Sequence, residues 1–485
     1  MPALDRATAL ADETHIGGRP ADTGRLRVGL LFPSPYQVGM ANLALHTLYR
    51  LLNDHPEVIC ERVFYPPLDG DAGPLTSLET GTVLGGFDVV AVSSSWELDW
   101  PRIPGALRAG GIEPLARDRS DRSPLVIAGG PAVTANPEPL AEIADALFIG
   151  EVEEALGSIA AALLQGGSAG RGAALDALAQ VAGMYVPARY RAGRIGRVAV
   201  SDLDAWPTHS AIVTEHCEFP GAFLIEVGRG CPRQCTFCLA RQIYAPLRPR
   251  GLEGLMQTAR LGLDVTDRIG LVGAAVADHP AIVELVTRIT EAGGSVSTSS
   301  LRIERVTPEL LAPLAQGGQR SITLAPEAAD PEVAATLGKR IDPSALHSAL
   351  QAAEQVGIRQ VKLYFMVGAP GETDEQALRI ADWVADLERD FPRIRLTVSV
   401  SPLVPRPHTE LARMTVAEPD VLRRRLAALG RELRRRTHAQ VRMGSARWGA
   451  VQTVLGRGGR ELTPLLLEAN GLGAGGVLTR MRALG

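Results

Sequence analysis

The chain is short of cysteine, lysine, aromatic residues and long apolar runs. Five cysteines among 485 residues, an odd number with no secretory signature, do not read as a disulfide framework. Aromatic residues make up 4%, which argues weakly against a platform for stacked bases. Lysine is almost missing: Lys339 and Lys362 are the two present, so 50 basic residues less 2 leaves 48 arginines. Genomic base composition is a sufficient cause of that bias. Against it, a retained lysine hints at a place where a compact charge on a flexible stem serves and arginine does not. No apolar run reaches membrane-spanning length. The opening MPALDRATALADETHIGGRP lacks the apolar core of a signal peptide. A cytoplasmic protein with no membrane contact is the expectation. The net charge of −4 gives no global attraction to nucleic acid or anionic lipid. A hydrophobic share of 46% and a charged share of 21% are ordinary for a globular protein. A chain of 485 residues has room for two or three domains.

What is present is a strand–helix rhythm, twice over. RVGLLFP, VICERVFYP, FDVVAVSSS, PLVIAGGPAV and DALFIG read as five strands, with MANLALHTLYRLLN as a helix between the first two. Small residues follow the strands: Ser93, Ser94, Gly129, Gly130 and Gly150. The pattern predicts an α/β fold with a parallel, flavodoxin-like (Rossmann-like) sheet over residues 25–165, whose ligands sit beyond the strands' carboxyl ends. Residues 1–24 read as a disordered lead-in. Residues 166–215 read as a linker, with GGSAGRGAA at its start and a small hairpin in MYVPARYRAGRIGRVAV. From 216 to 415 six more strands follow: FLIEVGRG, RIGLVGAAV, GSVSTSSLR, RSITLAPEA, VKLYFMVG and LTVSVSPLV. They predict a partial (β/α)6 TIM barrel. Their alternation puts hydroxyls with Lys362 and Tyr364 on one face, which suits a wet lumen better than packed aliphatic layers. Residues 416–485 read as a small helical extension, opening with the basic amphipathic VLRRRLAALGRELRRRTHAQVR. That run is a solvated face or a contact for RNA.

The most specific signal is Cys231-Pro-Arg-Gln-Cys235-Thr-Phe-Cys238. Three thiolates at spacings of four and three converge on one metal centre and leave it one ligand short of the four that close an iron–sulfur cluster. A structural zinc knuckle would need a fourth ligand. No histidine lies from Cys231 to Gly270, and Cys217 stands as the alternative fourth ligand. The cluster loop follows the first barrel strand, so it lies at the C-terminal mouth.

This motif, with Phe237 before its last cysteine, resembles the radical S-adenosylmethionine (SAM) superfamily. The resemblance implies a 4Fe-4S cluster on Cys231, Cys235 and Cys238, with SAM chelating the open iron and being cleaved reductively to a deoxyadenosyl radical. It also implies an electron donor such as a flavodoxin or ferredoxin. Glu327 in TLAPEAA matches the position that holds the SAM ribose, and Gly368 in FMVGAPGET the turn beside the adenine. Gly273, Ser299, Arg302, Lys362 and Phe237 complete the implied SAM contacts. The chain departs from the family's Gly-Gly-Glu, having Leu271-Val-Gly273-Ala-Ala-Val-Ala-Asp278 there, so Asp278 or backbone carbonyls are left to hold the SAM amino group.

The order of domains over residues 27–415 resembles the superfamily group with an N-terminal cobalamin-binding-like domain. Ser93, Ser94, Gly129, Gly130 and Gly150 are then its cobalamin candidates. Here too the chain departs: it has Pro35-Tyr36-Gln37-Val38-Gly39 where the cobalt-ligating Asp-x-His-x-x-Gly would stand, and His46 is misplaced. Cobalamin without a protein ligand to cobalt and a domain turned to another use are both open readings. A methylthiotransferase is excluded, since only Cys60 precedes Cys217, and so is an RNA-adenosine methylase, since no cysteine follows Cys238. The functions that remain are a cobalamin-dependent methyltransferase, a cobalamin-independent radical rearrangement, cyclisation or oxidation, and a non-catalytic zinc or nucleic-acid-binding protein.

Overall fold

The computed structural model describes residues 4–18, 23–66, 73–167, 169–339, 342–414 and 417–484. It falls into two compact units, Met1–Phe223 with Val454–Gly485, and Leu224–Thr453.

The first unit is built on strands β1 (Leu26–Phe32), β2 (Val58–Phe64), β3 (Val89–Ser93), β4 (Leu125–Gly129), β5 (Ala146–Phe148) and β6 (Met184–Tyr185). Their spatial order is β2-β1-β3-β4-β5-β6, with β1 to β5 parallel and β6 antiparallel to β5. The order 2-1-3-4-5 is that of a flavodoxin-like sheet, which switches direction between β1 and β3. Apart from Arg27, Glu61 and Arg62 the strands are mostly apolar, as expected of a sheet covered on both faces. Leu30, Leu31, Val90, Val126 and Leu147 are all fully buried.

Three parts of this unit differ from the sequence expectation. The described part of the lead-in is ordered: helix Arg6–Asp12 is capped by Asp5, and Thr14–His15 pairs with Ile212–Val213. The reason is Arg62 on β2, a buried cation whose guanidinium donates to Glu13 at 2.8 and 2.7 Å. Residues 1–3 and 19–22 of the lead-in lie outside the described residues. The expected linker opens in helix: helix Leu156–Gly167 runs into its start and Arg171–Leu178 follows; its Ser168 lies outside the described residues. The expected hairpin does not fold on itself, because Met184–Tyr185 extends the main sheet and Val198 bridges Gly150.

The second unit carries β7 (Phe223–Glu226), β8 (Arg268–Val272), β9 (Ser295–Thr298), β10 (Ser321–Glu327), β11 (Gln360–Val367), β12 (Arg395–Pro402) and β13 (Gln440–Met443). One sheet has the order β9-β8-β7 and the other β10-β11-β12-β13. A bridge between Leu301 and Leu324 links the end of β9 to β10. The result is a parallel, open (β/α) barrel in which all six expected strands form. The seventh, β13, hides in the basic run. That run is a helix over Pro419–Arg436, burying Leu422, Leu426, Leu429 and Leu433. After it Gln440–Met443 pairs in parallel with β12.

The expected extension 416–485 is therefore divided. Up to Thr453 it belongs to the barrel, and from Val454 to the first unit. There Asn136 donates to the carbonyls of Gly456 and Gly458 at 3.1 and 2.7 Å, and Arg460 pairs with Glu138 at 2.9 Å. Leu465, Leu466 and Val477 bury the apolar side of this segment.

Candidate radical SAM site

The cysteine loop leaves the end of β7 and is pinned at its base. Gly228–Arg229 pairs antiparallel with Arg248–Pro249. Glu226, half-buried at the strand end, accepts from Arg229 at 3.0 and 2.9 Å and from Arg250 at 2.6 Å. Burial alone would raise its pKa, but these two cations hold it below the usual carboxylate range. Gly230 turns the chain at φ +89°, and a Cβ there would stand 2.4 Å from the carbonyl of Pro246. A side chain is excluded on both counts.

Farther along, the loop is clamped to helix Pro331–Thr336 and the residues after it. The Thr236 N–H donates to Leu337 O at 3.1 Å and its hydroxyl to Thr336 O at 2.8 Å. Gly338 lies so close that a Cβ would stand 2.7 Å from Gln234 O. Phe237 packs into an apolar cluster of Ala328, Val333, Leu337, Ala369 and Leu403, with Met366 beside it. The ends of β10, β11 and β12 thus fix where the cysteines lie.

Cys235 is buried, and Cys231 and Cys238 are half-buried. Burial pushes the Cys231 and Cys235 thiols up, and Cys231 and Cys235 each also feel the other thiols of the loop. The trio therefore occupies one electrostatic neighbourhood. Among the described residues it is not drawn into a closed ligand cage. Cys217 lies in the first unit, where its thiol donates to Thr214 O.

Two ion pairs flank the loop. Beside Cys231, Asp278 takes Arg302 and Arg305 on one oxygen, the latter at 3.2 Å. Its other oxygen, Oδ2, is buried with no hydrogen-bond partner among the described residues, and so is Arg302 Nε. Beside Cys235, Lys339 Nζ donates to Glu327 at 2.8 Å. Glu327 ends β10 at φ +72°. Burial raises its pKa despite the lysine.

The other expected SAM residues are spread more widely. Ser299 donates to the carbonyl of Gly273 at 3.5 Å, so these two meet. Gly368 follows β11 at φ +105°, and Leu422 stands where its Cβ would be, at 2.5 Å. That turn is held by Glu372, which accepts from the Gly368 N–H and from Arg425 at 2.9 Å. Lys362 stands apart from the mouth, four residues before Met366 on the same face of β11.

In the first unit, Ser93, Ser94, Gly129, Gly130 and Gly150 do lie at the ends of β3, β4 and β5. Ser94 accepts from Trp100 Nε1 at 2.9 Å. Gly130 and Gly150 are pressed against the backbones of Ser94 and Val198. His46 is fully buried, and both ring nitrogens are taken, by Met40 O at 3.0 Å and the Ala211 N–H at 3.2 Å. Burial lowers its pKa to about 4. Sequence reading missed a polar group at the β1/β3 switch. There Ser34 donates to Asp99 at 2.9 Å, and Arg102 donates to both at 2.9 and 3.2 Å. Only the fold brings 34 to 99, so no local signal could have found it.

Comparison with known proteins agrees with this architecture. Residues 44–187 match the model for the N-terminal region of radical SAM proteins, and residues 225–384 the model of the radical SAM superfamily. The uncharacterised protein MJ0966 of Methanocaldococcus jannaschii is 29% identical over 79% of this chain and 78% of its own length. The uncharacterised methyltransferase PH0819 of Pyrococcus horikoshii is 22% identical over 40% of this chain and 42% of its own. Among solved structures, the radical SAM methyltransferase TsrM of Kitasatospora setae, with cobalamin and a [4Fe-4S] cluster bound, superposes with a TM-score of 0.56 at 15% identity, covering 80% of this chain and 74% of that one. The cobalamin-dependent radical SAM enzyme OxsB gives a TM-score of 0.51 at 15% identity, over 74% of this chain and 52% of its own. Among the described residues no helix is long and apolar enough to cross a membrane. With a flavodoxin-like sheet ahead of an open parallel barrel and three cysteines at its mouth, this chain belongs to the radical SAM superfamily and is a radical SAM enzyme, which implies a 4Fe-4S cluster and SAM as its cofactors.

Proposed function

We propose that this enzyme is a cobalamin-dependent radical SAM methyltransferase. The observation that carries the SAM half is the pair of orphaned polar atoms beside Cys231. Among the described residues a buried acceptor, Asp278 Oδ2, and a buried donor, Arg302 Nε, have no hydrogen-bond partner, Nε lying 3.9 Å from Glu304 Oε2. Leaving such groups unpaired costs about 1–3 kcal/mol each. A zwitterionic amino acid satisfies both, its ammonium on Asp278 and its carboxylate on Arg302. This answers the missing Gly-Gly-Glu, for one aspartate takes the place of that motif's carboxylate. Glu327 has capacity for a ribose diol while Lys339 neutralises it. The cluster, when bound, supplies the electron that cleaves SAM, and cobalamin, when bound, carries a methyl group. The chain's own work is to hold the amino-acid end of SAM, keep the loop rigid through Thr236 and Phe237, and exclude water around Cys235.

The cobalamin half rests on the flavodoxin-like unit and on the likeness to TsrM and OxsB. His46 is buried, near-neutral and fully bonded, so the group would sit on the strand ends without a protein ligand to cobalt. Ser93, Gly129 and the Ser34–Asp99–Arg102 group at the switch are its nearest candidates. The test is anaerobic reconstitution, then dithionite and SAM, with deoxyadenosine as the readout. Protein made with and without supplied cobalamin is compared for bound corrinoid by absorbance. Deoxyadenosine without corrinoid would leave a radical enzyme of the cobalamin-independent kind. An electron donor such as a flavodoxin or ferredoxin completes the system.

A further inference from the structure

The four-stranded sheet of the barrel has two unlike faces. One is apolar and lies under helices: Ile322, Leu324, Val361, Leu363 and Val398 are essentially fully buried. Phe365 meets Trp383 of helix Asp374–Asp390 edge-on at 6.2 Å. The opposite face is polar and carries charge of one sign. Lys362 sits between Thr323 on β10 and Thr397 on β12, all three in register. One layer up, Tyr364, Ser399 and Arg442 are in register, and one layer down stands Arg395. No aspartate or glutamate occurs in β11, β12 or β13. The one carboxylate of β10, Glu327, is already paired with Lys339.

Lys362 is half-buried and makes no hydrogen bond or ion pair with any described residue. A partly desolvated ammonium without a counter-ion is costly, and evolution usually removes it or pairs it. Here it is also one of two lysines among 50 basic residues. The same face leads to the cysteine loop, since Met366, four residues on, packs against the same apolar cluster as Phe237. At about 3.3 Å per residue the two levels are roughly 13 Å apart. The extended lysine covers about half of that.

We infer that this face is a subsite for a phosphate group of the substrate, with Lys362 as its principal contact and the Thr323 and Thr397 hydroxyls beside it. The Thr397 hydroxyl donates to Gln440 Oε1 of β13 at 3.4 Å. Phosphate fits better than carboxylate because the central cation is a point charge flanked by single donors, not a bidentate fork. Arg442 and Arg395 supply the second charge that a dianion needs. The substrate would then be a phosphorylated molecule long enough to present its reacting carbon roughly 7 Å from the phosphate. This inference rests on the radical SAM reading of the same lumen.

The near-absence of lysine provides the test. Reductive methylation with 13C-formaldehyde labels Lys339, Lys362 and the terminal amine, and the loss of one signal in Lys362→Arg assigns it. The full-length protein is titrated with inorganic phosphate, with acetate, and with sodium chloride at matched ionic strength. The expected result is a saturable shift of the Lys362 signal with phosphate, while the Lys339 signal stays in place. The double variant Thr323→Val/Thr397→Val should bind phosphate at least about fivefold more weakly with its circular dichroism unchanged. A Lys362 shift no larger than that caused by chloride, or acetate binding as tightly as phosphate, would overturn the assignment. The readout needs no SAM cleavage. Normal deoxyadenosine formation with a silent Lys362 sinks this inference alone, and failure to form deoxyadenosine sinks the functional reading.

Discussion

Two buried ion-pair groups in this chain look alike and differ in one respect. Around Arg62 every guanidinium nitrogen is answered, and the Tyr49 hydroxyl is the one buried atom of this group left without a hydrogen bond among the described residues: Glu13 takes two bonds, Glu79 takes the side-chain and backbone N–H groups at 2.6 and 2.7 Å, and Tyr36 donates to Glu13 at 2.7 Å. The Tyr49 ring closes the remaining side, 5.0 Å from the guanidinium carbon. Around Arg302 and Asp278, one donor and one acceptor are left over beside a cysteine. A saturated network holds a fold together, whereas an unsaturated one is waiting for something. The same distinction separates the two lysines, for Lys339 is paired and Lys362, among the described residues, is not.

The comparison can be broken at several points, taken here from the largest expected effect. Cys231→Ala, Cys235→Ala or Cys238→Ala should abolish the brown chromophore of reconstituted protein and reduce deoxyadenosine formation to background. Wild-type colour and cleavage in any of them would refute the cluster assignment. Arg62→Met should cost about 3–5 kcal/mol, since it leaves Glu13 buried and uncompensated. Chemical denaturation measures the loss, and SAM affinity per folded molecule should be unchanged. Asp278→Asn should do the reverse, weakening SAM binding about tenfold or more by equilibrium dialysis with little loss of stability. Equal effects of the two substitutions on stability and binding would erase the distinction.

A further effect, spread over several pH units, concerns pH. His46 is held neutral by burial, which lowers its pKa to about 4 in the fold from an ordinary 6.5. The unfolded chain therefore binds more protons between those values. Stability is fully present above about pH 6.5 and falls as pH drops toward 4, by on the order of 3 kcal/mol at most. His46→Gln should flatten that slope in denaturation midpoints measured from pH 7 to pH 4. An unchanged slope would mean that other groups carry it.

Much of this was legible in the sequence because it is local. The three cysteines, Phe237 and the eleven strands named in advance all form where the apolar runs and turns put them. β13 was not legible because HAQVR continues the charge pattern of the helix before it, and only pairing with β12 makes it a strand. Nor was the order of the lead-in, since its anchor, Arg62, is 49 residues away from Glu13. Asp278 stood out as a substitute for the missing carboxylate. Its unsatisfied oxygen depends on Arg302 and Arg305 arriving on the same side, which no periodicity foretells.

The division of the chain also bears on how it is made. The first unit takes in Val454–Gly485, so the barrel is inserted within it. On the ribosome the flavodoxin-like sheet emerges first, but Asn136, Glu138 and Tyr65 must wait for Gly456, Arg460 and Asn470. A chain stopped after 453 would keep every residue of the cysteine site and still leave its N-terminal half unfinished. Damage at the far end of the gene would thus surface as a failure of the domain at the near end.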